Sequence, residues 1–584
     1  MMKKKMPPQE RTPFVLPVPV TAEQPSLQDN RADLDRLRSA LRAILPDARP
    51  LAIPFARIVT LCRRFRQAGF SGVALVNDLP DRWVLADFLP ELPAMLPAMA
   101  LDLGTTHLEA TLVDLLTGRT LSSAGRINSQ IEYGADILSR IHQATSVRRQ
   151  MREMDLSFMD PGLAVLQQSI VFCINELTAE LVAGSGLDGG DIRALSVSGN
   201  TTMVHLLLGL DPFHICREPY IPMVNGIEPM ESRELGLNLH SAAPVWIMPS
   251  IGSYFGGDLI SGILASGMAA SEQTRMLIDV GTNAEVVLGN RDWLIACAGA
   301  AGPALEGGVA RMGMRAAPGA IEYVSIDPET YSLEVRTIGG VPACGLCGSG
   351  LIDLVASLYL ARIIDVRGKF RDLAKESDPA RAAFMRERLV ERDGQRSFVV
   401  VKARDAGHGR PSVAQARDSE RATGLNPREP GKAGAVTAMA SDGDEVLLEQ
   451  IDLDAMIRSK AAMYAVLSTL VAQVGLAFDD LAEICVAGAF GNHINPQRAI
   501  TLGMLPDLDL SIYRAIGNSS LQGAEQVLLA RSARQECLDI VSKITYVELN
   551  VNQEFMIRFS GARFIPHTDP SLFPSVPLFA EQKE

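Results

Sequence analysis

Ala100-Leu101-Asp102-Leu103-Gly104-Thr105-Thr106 is followed by two further apolar runs, at 108–114 and 120–124. The run before Gly104 and the two after it read as strand, tight turn, strand, turn, strand. The same texture returns at Met276. There Ile278-Asp279-Val280-Gly281-Thr282-Asn283 precedes runs at 285–288 and 293–297. A single apolar-Asp-x-Gly-Thr match reads as well as an ordinary hairpin turn as it does as a phosphate turn, because Asp, Gly and Thr are turn residues anyway. Repetition of both the residues and the hairpin texture predicts two similar lobes.

Each turn combines residue types suited to a magnesium-bound triphosphate. Gly lets backbone N–H groups approach phosphate oxygens, and Thr adds a hydroxyl donor. Asp at a strand end offers oxygen to Mg2+ through its retained waters. Asp102 and Asp279 are therefore the expected Mg2+ residues. Gly104, Thr105, Thr106, Gly281, Thr282 and Asn283 are the expected phosphate holders, gripping ATP from two sides. Gly488-Ala489-Phe490-Gly491 follows an apolar strand at 484–487 and reads as a turn. Gly488 and Gly491 are expected to border the adenosine. Phe255-Gly256-Gly257-Asp258 enters a helix of small residues. Asp258 is either that helix's N-cap or the group that orients the attacking water. Asp258, Asp102 and Asp279 make the expected catalytic set. The Gly-x-x-x-x-Gly-Lys-Ser/Thr phosphate loop is absent.

A chain of 584 residues exceeds one hydrophobic core. Residues 1–30, rich in Pro, Gln and charge, read as a disordered arm. Residues 31–97 read as a small α/β domain, with helical Leu spacing from Leu34 to Leu45 and a strand at 72–76. The first lobe is expected over 98–275. The second is expected over 276–564, with a flexible insertion at 404–444, a strand-rich close at 544–564 and a tail at 565–584. The net charge of −13 argues against a nucleic-acid surface. No unbroken apolar run of about 20 residues and no secretion signal stand out, so a cytoplasmic protein without a membrane segment is expected.

The eight cysteines are scattered and form no disulfide framework. Cys344-Gly345-Leu346-Cys347 is either half of a metal site or packing within a Gly-rich turn. His205, on an apolar helix, reads as a core histidine. Met312 and Met314 fill core or line a partner surface, and Glu306 is a polar residue among small ones.

The order of these motifs resembles the superfamily of actin, sugar and acetate kinases and heat-shock chaperone ATPases. A narrower set resembles the reductive activators of corrinoid proteins. It comprises 100–106, Asn128-Ser129-Gln130 with Tyr133-Gly134-Ala135-Asp136, Ser198-Gly199-Asn200-Thr201-Thr202-Met203, 302–308, Cys347-Gly348-Ser349-Gly350, 487–491 and Gly517-Asn518-Ser519-Ser520-Leu521-Gln522-Gly523-Ala524. The resemblance implies a two-lobed actin-like (ribonuclease H-like) α/β ATPase with a small N-terminal α/β domain. It implies ATP and Mg2+ as cofactors, and a corrinoid protein of a methyltransferase system as partner. It also implies an ATP-assisted reduction of Co(II) to Co(I). Typical members carry an iron–sulfur cluster on closely spaced cysteines, a pattern not found here. No cluster is therefore expected within the chain, and a separate ferredoxin-like donor is expected to supply electrons. A homodimer would let the pairs Cys344 and Cys347 share a cluster. A small-molecule kinase and a nucleotide-dependent binding module remain open alternatives.

Overall fold

The computed structural model describes residues 11–147, 159–281, 284–299, 310–314, 316–392, 394–402, 445–549 and 552–579. Thr282, Asn283, Glu306 and the expected insertion at 404–444 lie outside them.

The N-terminal domain is a sheet of β1 (Val15–Thr21), β2 (Leu51–Ala52), β3 (Ser71–Asp78) and β4 (Trp83–Leu89), in the order β1-β3-β4-β2. Helices Asp33–Ile44 and Ile58–Gln67 bring Leu37, Leu41, Leu61 and Phe65 into its core. Phe65 meets Phe70 and Phe88 edge-on at 5.1 and 5.2 Å, the geometry that ring quadrupoles favour. The expectation of a disordered arm over 1–30 is corrected here, because β1 lies inside that stretch. Proline suggested disorder, yet Pro17 and Pro19 sit in an edge strand, where a missing N–H is tolerated. Val18 and Val20 point into the core while Pro19 faces out.

The rest of the chain repeats one topology. Strands β5 (Pro97–Leu103), β6 (His107–Asp114), β7 (Thr120–Ile127), β8 (Leu195–Gly199), β9 (Met230–Glu231) and β10 (Pro244–Ile247) form a sheet ordered β7-β6-β5-β8-β10-β9. The first three make an antiparallel meander, and β8 and β10 join it in parallel. Strands β11 (Arg275–Val280), β12 (Ala284–Gly289) and β13 (Leu294–Gly299) make the second meander. After them come β14 (Ala320–Ile326), β15 (Leu333–Thr337) and β16 (Gly345–Leu346) in one small sheet, and β17 (Leu389–Arg392), β18 (Gln395–Val401) and β19 (Val446–Glu449) in another. Strands β20 (Glu483–Ala487) and β21 (Tyr513–Gly517) then extend the second meander in parallel, and β22 (Ile544–Tyr546) closes its far edge. Its order, β21-β20-β11-β12-β13-β22, repeats the first sheet's β10-β8-β5-β6-β7 core.

The chain divides into two compact units. One takes the described residues of Met1–Ser271, Arg291–Leu294 and Asn518–Ile544; the other takes those of Glu272–Asn290, Ile295–Gly517 and Thr545–Glu584. In the first, Leu101, Leu103 and Val197 of the sheet pack on Leu166, Ile170, Ile174 and Leu206. Leu166, Ile170 and Ile174 come from helix Pro161–Val182, which by length and composition alone could cross a membrane. One of its faces instead lines this core.

The reading of 276–564 as one lobe is also corrected, since Asn518–Ile544 belongs with the first unit. The reason is close helix packing. Helix Ser519–Leu529 lies against helix Gly257–Ser266, and a Cβ on Gly523 would sit 2.5 Å from the Ser261 Cα. Gly523→Val is therefore expected to destabilise the protein by at least about 2 kcal/mol, read by urea unfolding. The strand-rich close at 544–564 is likewise corrected: after β22 comes helix Gln553–Gly561.

In the second unit, helix Gln450–Gln473 buries Lys460 completely. Its Nζ donates to the carbonyls of Phe564 and Pro566, the latter at 2.7 Å. Burial holds the amine well below its ordinary pKa of 10.5. The unfolded chain thus binds a proton that the folded chain resists. Stability should rise with pH from the lowered folded value up to 10.5, by about 1.4 kcal/mol per pH unit where the two states differ by a full proton. Unfolding measured across that range should lose this component of slope in Lys460→Met.

Candidate functional site

The first unit gathers four turns around Asp102. Asp102 ends β5 opposite Glu109 of β6 and Ser198 of β8. Ser520 Oγ donates to its Oδ1 at 2.7 Å, and Asn518 Nδ2 donates to its Oδ2 at 2.8 Å. The same Asn518 amide reaches Glu109 Oε2 at 2.8 Å, while Asn518 Oδ1 caps its own helix by accepting from the Leu521 N–H. The Asp102 carboxyl is pushed up to about 6. Burial is the largest cause, and the negative charges of Asp258 and Glu109 add to it; the bonds from Ser520 and Asn518 act the other way.

The turn after β5 is fixed from two sides. A Cβ on Gly104 would lie 2.2 Å from the His107 carbonyl oxygen, so the hairpin needs glycine there. Asn128 donates from Nδ2 to the Gly104 oxygen at 2.9 Å and from its backbone to Thr106 at 2.8 Å. Asn200 Nδ2 donates to Thr105 Oγ1 at 3.0 Å, and Asn200 Oδ1 caps helix Thr201–Leu208 through the Met203 N–H. Gly256 presses against this turn: its Cβ would be 2.3 Å from the Asn200 Cα. Gly256, not Asp258, is the N-cap of helix Gly257–Ser266. Asp258 lies in the first turn, half-buried, where its charge acts on Asp102. Asp102, Gly104, Thr105, Thr106 and Asp258 thus belong to one neighbourhood.

The second unit repeats the layout. Asp279 ends β11 opposite Glu285 of β12 and Ala487 of β20. Gly488 follows with φ +76°, and a Cβ there would lie 3.3 Å from Asp279 Oδ1 and 3.2 Å from the Val280 oxygen. Gly199, the last residue of β8, is its counterpart, with a Cβ position 2.8 Å from the Leu103 oxygen. Gly281 follows the same strand end. The Gly488–Gly491 turn is corrected to a short helix, Gly488–His493. Gly491 packs in it against Val486, its Cβ position 2.3 Å from that carbonyl oxygen.

Sequence reasoning assigned no role to Glu109, Ser198, Asn200, Asn518 or Ser520. Glu109 and Glu285 carried a legible signal, because each faces its aspartate across the repeated hairpin. Asn518 and Ser520 lie in the quoted string 517–524, but nothing local ties that string to a strand more than four hundred residues away. His205 is a buried core residue whose Nδ1 contacts the Thr201 oxygen at 2.7 Å. Cys344 and Cys347 flank the extended residues of β16, and their thiols face different acceptors. Cys344 Sγ lies 3.6 Å from the Pro342 oxygen; Cys347 Sγ lies 3.2 Å from that of Ile321 and 3.3 Å from Ser349 Oγ.

A meander of three strands extended by two parallel ones, present twice with a carboxylate at the end of the first strand, defines the actin-like ASKHA fold. Here it carries an additional N-terminal α/β domain. Comparison with known proteins narrows the class. The family model described as the C-terminal domain of RACo, the ASKHA domain, matches residues 273–423 and 417–577, and the RACo middle region matches 97–271. The chain belongs to the RACo family. It is 30% identical over 475 residues to the corrinoid activation enzyme RamQ of Eubacterium limosum, covering 81% of this chain and 71% of that protein. It is 24% identical over 461 residues to the Co(II) methylated amine-specific corrinoid protein reductase of Methanosarcina barkeri, covering 76% and 72%. The solved structure of a reductive activator for a corrinoid iron–sulfur protein superposes with a TM-score of 0.79 at 35% identity, over 97% of this chain and 81% of that one.

Proposed function

We propose that this chain is an ATP-hydrolysing reductive activator of a corrinoid protein in a methyltransferase system. A separate ferredoxin-like donor supplies one electron, and the corrinoid cobalt passes from Co(II) to Co(I). The observation that carries this reading is the duplicated strand-end carboxylate, Asp102 and Asp279, within a family whose relatives are named for corrinoid activation. The residues suit a hard cation and a polyphosphate: two half-buried carboxylates, Asp102 beside the turn that requires Gly104 and Asp279 beside the positive-φ Gly488. Asp102 and Asp279 would hold Mg2+, which when bound neutralises phosphate charge. Gly104, Thr105, Thr106, Gly281, Thr282 and Asn283 hold phosphate oxygens. Gly488 and Gly491 border the adenosine, and Asp258 orients the attacking water. Nucleotide binding favours one conformation over another, and that difference drives the uphill electron transfer. The protein works in the cytoplasm, without a membrane or nucleic-acid partner, as a monomer or homodimer.

The test combines the purified chain with a corrinoid protein encoded beside it, a low-potential reductant with a ferredoxin, and Mg-ATP. Loss of the Co(II) absorbance and growth of the Co(I) band should require both the chain and ATP. Equal rates without ATP would overturn the reading, and phosphorylation of a metabolite instead would favour a kinase.

A further inference from the structure

Four side chains from four separate elements form a hydroxyl chain that ends on Asp102. Ser520 Oγ lies 2.7 Å from Asp102 Oδ1 and 2.8 Å from Ser198 Oγ, and Ser198 Oγ lies 2.8 Å from Ser261 Oγ. Ser198 and Ser261 are fully buried, and Ser520 is 7% exposed. A hydroxyl carries one proton, and ionised Asp102 can only accept. Ser520 therefore gives its proton to Asp102 while its oxygen stays within hydrogen-bond reach of Ser198, which in turn reaches Ser261. The other carboxylate oxygen takes its bond from Asn518, which holds Glu109 with the same amide.

We propose that Ser520 and Asn518 are positioning residues that set the orientation of the Asp102 carboxylate, with Ser198 and Ser261 fixing the Ser520 hydroxyl. The inference rests on the reading of Asp102 as an Mg-nucleotide residue. Both positioning side chains stand at the start of helix Ser519–Leu529, and that helix is anchored at its other end. The carbonyls of Leu528 and Leu529 accept from the backbone N–H groups of Phe14 and Thr12, at 2.8 and 3.1 Å. The helix is seated along its length by Gly523 against Ser261. A carboxylate free to rotate has several ways to meet a hydrated cation; one gripped on both oxygens from a fixed helix presents a single face. Ser519 supplies an internal control. It lies on the same helix turn, and its buried hydroxyl has no hydrogen-bond partner among the described residues.

The experiment compares Ser520→Ala, Ser520→Thr and Ser519→Ala in the full chain. ATP hydrolysis is titrated with Mg2+, alongside thermal unfolding and a crystal structure of Ser520→Ala. Ser520→Ala should raise the Mg2+ concentration for half-maximal turnover about tenfold, as expected for losing one hydrogen bond to a charged acceptor. Ser520→Thr, which keeps the hydroxyl, should restore most of that loss, and Ser519→Ala should match the unmodified chain. The Asp102 carboxylate should rotate in the Ser520→Ala crystal structure. An unmoved carboxylate together with unchanged Mg2+ dependence would overturn the proposal, as would equal losses in Ser520→Ala and Ser519→Ala. If the unmodified chain neither binds nor hydrolyses ATP, the nucleotide reading itself fails, and the carboxylate's position alone decides whether Ser520 positions it.

Discussion

Asp102→Asn should lower the ATP-dependent rate of corrinoid reduction by about 100-fold or more, with Co(II) reduction in the absence of ATP unchanged. The substitution preserves shape and leaves an oxygen for Ser520, but removes the charge at the end of β5. The same variant has a stability signature of opposite sense. The Asp102 carboxyl titrates near 6 in the folded chain, above its ordinary 3.8, chiefly because burial disfavours the charge. A raised carboxylate pKa means that ionisation weakens the fold. The cost is absent below the ordinary value, grows as pH rises, and is complete above the folded value. The stability difference between the two proteins should therefore shift in favour of Asp102→Asn as pH rises from 4 to past 6, and then level off. Activity lost while stability is gained is the pattern of a functional residue held at a cost to the fold. Parallel loss of both would point to a structural aspartate.

Asp78→Ala should cost about 3–5 kcal/mol of unfolding free energy, read by chemical denaturation, because it removes the shared partner of three guanidinium groups. Arg534 and Asp78 are 5% and 3% exposed, joined at 2.7 Å. Arg531 and Arg49 reach the same carboxylate at 2.7 and 2.9 Å. Arg49 and Arg531 also stack on Trp83, at 4.2 and 4.9 Å from its ring centre. The buried charge left on Arg534 is the expensive part. Combining Asp78→Leu with Arg534→Met should recover much of the loss, since Arg49 and Arg531 keep Asp47 as a partner. This cluster fastens the N-terminal sheet to helix Arg531–Lys543, directly after the helix whose start grips Asp102. The Asp78→Ala variant should also show weaker Mg2+-dependent turnover if that helix must be held at both ends.

The strands were legible because their physics is local. Alternating apolar residues broken by Gly-Thr-Thr specify a hairpin, and the repeat of 100–106 at 277–283 announced the duplicated topology. Asp102 and Asp279 stood out because an acidic residue ending an apolar strand conflicts with burial unless it has a task. β1 was misread for an equally local reason: its prolines argue for disorder unless the strand is known to lie on an edge. The Gly488–His493 helix was read as a turn because its two glycines are turn residues in isolation. Their close contacts with Asp279, Val280 and Val486 exist only once β20 lies beside β11.

The sequence by itself determined the duplicated lobe, the two strand-end aspartates and their glycine turns, since each depends on residues adjacent in the chain. Only the tertiary structure decided which distant side chains orient Asp102. Ser520 and Asn518 reach it because Gly523 lets one helix settle onto Ser261, and because residues 12–14 hold that helix's far end. No local pattern encodes that contact. It depends on the close packing of elements more than four hundred residues apart in the chain.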